Sequence, residues 1–101
     1  MIIVIGSITA RADNFDALRD ASLAHVHRSR AEPGCISHAV HVDVENPLRL
    51  FFFERWTDMA ALQAHFRQPG SMEFIGAVRA LAAESETISL YDSSEIATPN
   101  S

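Results

Sequence analysis

Hydrophobic positions along the chain switch between a period of two and a helical period, and each switch marks an element. Ile2–Ala10 opens with the β-branched run Ile2-Ile3-Val4-Ile5, which predicts a strand. Asp13 is placed to cap a helix, because its carboxylate can accept from the free amides of a first helical turn. Phe15, Leu18, Ser22, His25/Val26 and Ser29 then recur at helical spacing, predicting a helix over 14–31 that Glu32-Pro33-Gly34 ends. Residues 35–44 alternate, with Ile36, His38, Val40 and Val42 on the apolar side of a strand. Glu45-Asn46-Pro47 turns the chain into a second strand over 48–56, centred on Leu50-Phe51-Phe52-Phe53, so the pair reads as a hairpin.

Asp58 is positioned to cap a short helix carrying Met59, Leu62, His65 and Phe66, which Pro69-Gly70 is expected to end. Ser71 is then placed to cap a further helix with Phe74/Ile75, Val78 and Leu81/Ala82 on one face. A last strand is expected over about 87–96, within a single domain spanning 1–101 and ordered over about 2–96, its tail 97–101 flexible. The order β-α-β-β-α-β defines an α+β, ferredoxin-like domain with a four-stranded antiparallel sheet and helices on one face. Two helices cover one face only, yet the first strand and the Phe51–Phe53 strand are apolar on both sides. The expectation is a homodimer that buries the Phe51/Phe53 face sheet to sheet, with Arg55 on that side pairing with an acid across the interface.

Composition narrows the classes of function. Thirteen acids against eight bases give a net charge of −5, with no basic block to neutralise phosphates, so nucleic acid is not expected as a partner. The single Cys35 excludes an intrachain disulfide and a thiolate-rich zinc site, and reads as a half-buried structural thiol. No apolar run reaches the ~20 residues of a membrane span and the short apolar start lacks a basic flank, so a cytoplasmic location is expected.

The chain carries no G-x-G-x-x-G, P-loop, H-E-x-x-H or G-x-S-x-G motif. Five histidines remain. His25 and His27 point to different sides of a helix and His38 and His41 to opposite faces of a strand, so ligand counting along each element gives no metal site. His65 lies between Leu62 and Phe66 on an inward helix side, His38 holds an inward slot among valines, and His25 adjoins the apolar edge of the first helix. All three can face the space between helices and sheet, where an imidazole serves as a general base near neutral pH. Glu54 and Trp56 share a strand face with Phe52, an aromatic wall with a carboxylate suited to a planar ligand.

Ala31-Glu32-Pro33-Gly34-Cys35, the strand end Glu54-Arg55-Trp56 and the helix Ala60-Ala61-Leu62-Gln63-Ala64-His65-Phe66 together resemble the antibiotic biosynthesis monooxygenase (ABM) domain family over roughly residues 3–91. That resemblance implies ferredoxin-like protomers that dimerise through their sheets into an α/β barrel. It also implies a cofactor-independent monooxygenase, needing neither metal nor flavin, that oxidises a small phenolic or quinol-type aromatic with O2. His65 is then base or donor, His25 and His38 are secondary candidates, Trp56, Phe52 and Phe66 are pocket walls, and Glu54 orients an imidazole. Where family oxygenases often carry an asparagine four residues before the tryptophan, this chain has Phe52. The haem-degrading branch has a histidine ligand on the helix after His65, and residues 71–84 contain none. A non-catalytic ligand-binding dimer and an isomerase are the alternatives.

Overall fold

The computed structural model describes residues 1–99; of the tail expected to be flexible, residues 100–101 lie outside the described residues. In chain order the elements are β1 (Ile2–Ala10), α1 (Phe15–Arg30), β2 (Cys35–Asp43), β3 (Asn46–Trp56), α2 (Met59–Phe66), α3 (Pro69–Leu81), β4 (Ala82–Ser85) and β5 (Ser89–Asp92). The antiparallel sheet runs β2-β3-β1-β4, with β5 also paired to β1. This is the ferredoxin-like arrangement, its fourth strand in two pieces and three helices against the sheet.

The expected last strand over 87–96 is therefore corrected. β4 pairs Ile8 with Ser85 and β5 pairs Ile5 with Ser89. Two residues of β1 thus face three on the returning chain, and the extra residue bulges the strand. Glu86 N–H still donates to the Ser7 carbonyl at 2.9 Å. Opposite it, a Cβ on Gly6 would come within 2.9 Å of the Ile88 side chain, so only glycine admits this close approach.

Two capping expectations also change. Asn14, not Asp13, caps α1. Its Oδ1 accepts from the Arg11 amide and its Nδ2 donates to the Leu81 carbonyl, which leaves Asp13 in an exposed pair with Arg11. Pro69 begins α3 at its first position, where a missing N–H costs nothing, and Ser71 inside the helix donates instead to the His65 carbonyl at 2.6 Å. Asp58 caps α2 as expected, accepting from Ala61 N–H at 2.8 Å. Gly34 ends the α1–β2 turn at φ 82°, a conformation that disfavours side chains, with Ala61 packed above it.

Side chains of β3 alternate strictly. Leu50, Phe52, Glu54 and Trp56 are buried under the helices, whereas Phe51, Phe53 and Arg55 are half-buried on the opposite face. Ile3 and Ile5 of β1 are half-buried on that same outer face. Within the chain Arg55 donates to Ser37 Oγ at 2.8 Å. β2 is an edge strand and its inward side is less apolar than its sequence suggests. His38 is buried, but Ile36 and Val42 are 45% and 49% exposed, because the strand is irregular at both ends. No helix among the described residues is long and apolar enough to cross a membrane.

The layer between helices and sheet has two hydrocarbon clusters. Ile8, Ala10, Leu18, Val26, Leu50 and Phe52 form one, backed by Phe74 and Val78; Ile2, Val4, Trp56 and Leu62 form the other. Between them lies a buried polar island.

Candidate functional site

Strand register builds the base of the island. Glu54 sits in the centre of the sheet, opposite Val4 on one side and His38 on the other. α1 supplies His25 and α2 supplies His65, so three histidines from three elements meet above Glu54. Their exposures are 6%, 1% and 3% for His25, His38 and His65. Ring centroids are separated by 5.3 Å (His25–His38), 5.2 Å (His25–His65) and 5.7 Å (His38–His65), and one nitrogen of each ring lies within 4.8 Å of the others'. Ligand counting along single elements missed this cluster because its members lie 13 to 40 positions apart in the sequence.

Each carboxylate near the cluster has a definite task. Glu32 Oε1 accepts from His65 Nδ1 at 2.9 Å, which fixes that tautomer and leaves Nε2 for other chemistry. Glu54 Oε1 accepts from the Trp56 indole N–H at 2.9 Å and stands 3.2 Å from His38 Nε2. That second contact is close but out of line with the ring N–H, so neither nitrogen of His38 has an aligned hydrogen bond. Burial pushes the Glu54 carboxyl up, but the His38 contact and charge, the Trp56 indole and His65 outweigh it and hold the group below the ordinary carboxylate range. His25 shifts the other way for a base. Burial first, then repulsion from His38 and His65, lowers it to about 3, so this ring is neutral at physiological pH.

A cavity of about 280 Å³ opens beside the cluster, at the small end of the ~300–1,000 Å³ usual for ligand sites. Ile8, Phe52, Phe74, Val78 and Ile88 supply its apolar walls, and His25 and Glu54 join Arg79 and Glu86 in its polar lining. Phe74 stacks on His25 at 4.3 Å and 8°, which pins the imidazole against the cavity.

Of the seven site residues expected from sequence, His25, Phe52 and Glu54 reach this cavity. His38 and His65 stand behind it in the cluster. Trp56, expected as a wall, is wholly buried and holds Glu54 from beneath. Phe66, also expected as a wall, is 40% exposed beside His65, since the residue after an inward-facing one on a helix turns outward. Glu32, Phe74, Val78 and Ile88 were not foreseen as site residues. Phe74 and Val78 carried a signal, four positions apart on one helix face; Glu32 carried none, because its partner is 33 positions away. Cys35 is half-buried with its thiol pushed up by burial and by Glu54 and Glu32, which keeps it protonated and unreactive.

This fold and site define a small α+β domain with a ligand-sized cavity between sheet and helices. The antibiotic biosynthesis monooxygenase family model matches residues 1–77, and the chain belongs to the ABM family. A protein of Deinococcus radiodurans assigned to the same family superposes with a TM-score of 0.91 at 26% identity over 97% of both chains. Rv0793 of Mycobacterium tuberculosis gives 0.86 at 26% identity, covering 96% of this chain and 98% of that one. An uncharacterized Synechocystis sp. protein, sll1783, is 34% identical over 97 residues. The match takes in 96% of this chain but 66% of that protein's length.

Proposed function

We propose that the chain is a monooxygenase that oxidises a small phenolic or quinol-type aromatic with O2. The observation that carries this reading is the cavity: one-ring in scale, walled by Phe52 and Phe74, with a neutral imidazole in its lining. Family membership supports it.

A phenolic hydroxyl in the cavity meets His25, which accepts its hydrogen bond. His25 is too weak a base to keep the proton and passes it to the adjoining His65, whose other ring nitrogen Glu32 holds. Glu54 and Glu32 supply the negative charge that steadies the resulting cation. The phenolate then gives an electron to O2, and the radical pair combines to a peroxide. Loss of water from the peroxide leaves a quinone, so one oxygen atom enters the product and the other leaves as water, with no external reductant. The apolar walls exclude solvent from these intermediates.

The apolar outer face of Ile3, Ile5, Phe51 and Phe53, half-buried within one chain, supports the homodimer as the working form, which completes a burial worth at most roughly 1.5–3 kcal/mol per side chain. The second reading, a dimer that binds such a ligand without turnover, draws on Phe52, which offers no hydrogen-bond donor to reduced oxygen.

Oxygen uptake by chelator-treated protein with a panel of hydroquinones tests the reading. Consumption well above autoxidation, lost in His25→Ala, is the expected result. Saturable ligand binding with uptake no faster than autoxidation would replace it with the binding reading.

A further inference from the structure

The histidine cluster has a property that proton transfer does not use. We propose that His25, His38 and His65 form a binding site for one divalent transition-metal ion of the zinc type, with Glu32 and Glu54 as its outer partners. The inference rests on the geometry of the cluster, and the proton uptake of the oxygenase reading belongs to the metal-free chain.

Ring spacing is the first argument. A tetrahedral ion about 2.05 Å from three imidazole nitrogens sets the ring centroids about 5.2 Å apart. The observed separations are 5.2, 5.3 and 5.7 Å. The centroids already stand at metal-site spacing, and the nitrogens, now within 4.8 Å of one another, have to close to about 3.3 Å to share a tetrahedral ion.

His38 provides the second. It is 1% exposed with both ring nitrogens lacking an aligned partner, a state that buried polar atoms seldom tolerate. An ion satisfies one nitrogen outright and turns the other towards Glu54. The Glu32–His65 bond already has the form in which metal-bound histidines are held, carboxylate to one ring nitrogen and metal to the other.

Charge and access agree. Two carboxylates balance a dication in a buried setting, and the all-imidazole donor set favours Zn2+, Co2+, Ni2+ or Cu2+ over Mg2+ and Ca2+. Because His25 lines the cavity, an ion has a route in from that space. Bound there, it takes the lone pairs to which a proton would otherwise bind.

Untagged, chelator-treated full-length protein titrated with Co2+ gives the test. The expected result is saturation at one ion per chain, with the visible d–d bands of a low-coordinate nitrogen-ligated ion, and their loss when Zn2+ displaces it. His65→Ala and His25→Ala, checked for folding by circular dichroism, should each weaken binding at least about 100-fold, and Glu32→Gln about 10–100-fold. His41→Ala, at an exposed histidine of β2, should change nothing. Absence of saturable bands in the unmodified protein overturns the proposal, and so does binding that survives His65→Ala or is lost in His41→Ala.

Discussion

The layer between helices and sheet is built in two contrasting ways. Around Leu18, Val26, Leu50 and Phe52 it is hydrocarbon, close-packed from both sides. A few ångströms on, around His25, His38 and His65, the same layer buries three imidazoles and a carboxylate, one of the imidazoles without an aligned hydrogen bond. The first region does what folding asks. The second gives up dispersion and desolvation energy that aliphatic side chains would have gained in the same space. The island lies between two apolar clusters, and its contribution can be separated from that of the fold by experiment.

The sharpest separation compares one substitution in each region. Leu18→Ala removes a wholly buried side chain from the hydrocarbon end and should cost about 2–5 kcal/mol in urea unfolding. The double variant His38→Leu with Glu54→Gln removes the imidazole and the charge together while leaving an acceptor for the Trp56 indole. It should shift stability by no more than about 1 kcal/mol in either direction, since the carboxylate and the imidazole facing it are removed together and neither is left stranded. Oxygen uptake should fall to background in the double variant. A cost matching that of Leu18→Ala would show the island to be part of the scaffold.

Acid should strike the polar region first, with a somewhat smaller effect. In the metal-free chain His25 has a pKa of about 3, against 6.5 in an unfolded chain. Above pH 6.5 both states are neutral there and His25 contributes no pH dependence. As pH falls below 6.5 the unfolded chain takes up a proton that the folded chain refuses, and stability declines by up to about 1.4 kcal/mol per pH unit. Between pH 6.5 and 5 the loss should reach about 2 kcal/mol. Glu54 adds to it only lower down, because a carboxyl held below its ordinary value stabilises above that value and loses the contribution as pH falls through the folded one. Urea midpoints measured from pH 8 to 5 give the curve, and His25→Phe should flatten it between 6.5 and 5. An unflattened curve would move the responsible group elsewhere.

The two regions also differed in how far the sequence announced them. Periodicity is local, and the hydrocarbon region consists of periodic residues: Leu18 and Val26 on one helix face, Leu50 and Phe52 on alternating strand positions. The order of elements came from the same patterns. Inward orientation of His25, His38 and His65 was legible too, because each occupies an apolar slot. Their convergence on one another was not, since it depends on register between strands and on the crossing of two helices over the sheet. Glu32 lies in a turn whose visible signals, Pro33 and Gly34, concern the backbone, and nothing local ties it to His65. The bulge at 86–88 escaped for a similar reason: it answers to Gly6, some eighty positions earlier.

The smallest effect compares two serines on the same helix. Ser22 and Ser29 are both fully buried on α1, and each hydroxyl donates to the carbonyl four residues back, Leu18 and His25 respectively, at 2.7 Å. Such bonds add little to stability, because the carbonyl already serves the helix, but they tilt it and bend the local axis. Ser22→Ala and Ser29→Ala should therefore each change stability by less than about 1 kcal/mol. Their functional consequences should differ. Ser22 bonds back to a carbonyl beside hydrocarbon that repacks readily, whereas Ser29 draws on the carbonyl of His25, whose ring is packed among Phe74 and the other two imidazoles. Ser29→Ala should move the His25 ring signals in a 1H–15N imidazole spectrum and lower oxygen uptake several-fold, with Ser22→Ala leaving both unchanged. Equal responses from the two variants would mean that α1 passes backbone shifts along its whole length, and that the polar island is less insulated from the hydrocarbon region than their contrasting composition implies.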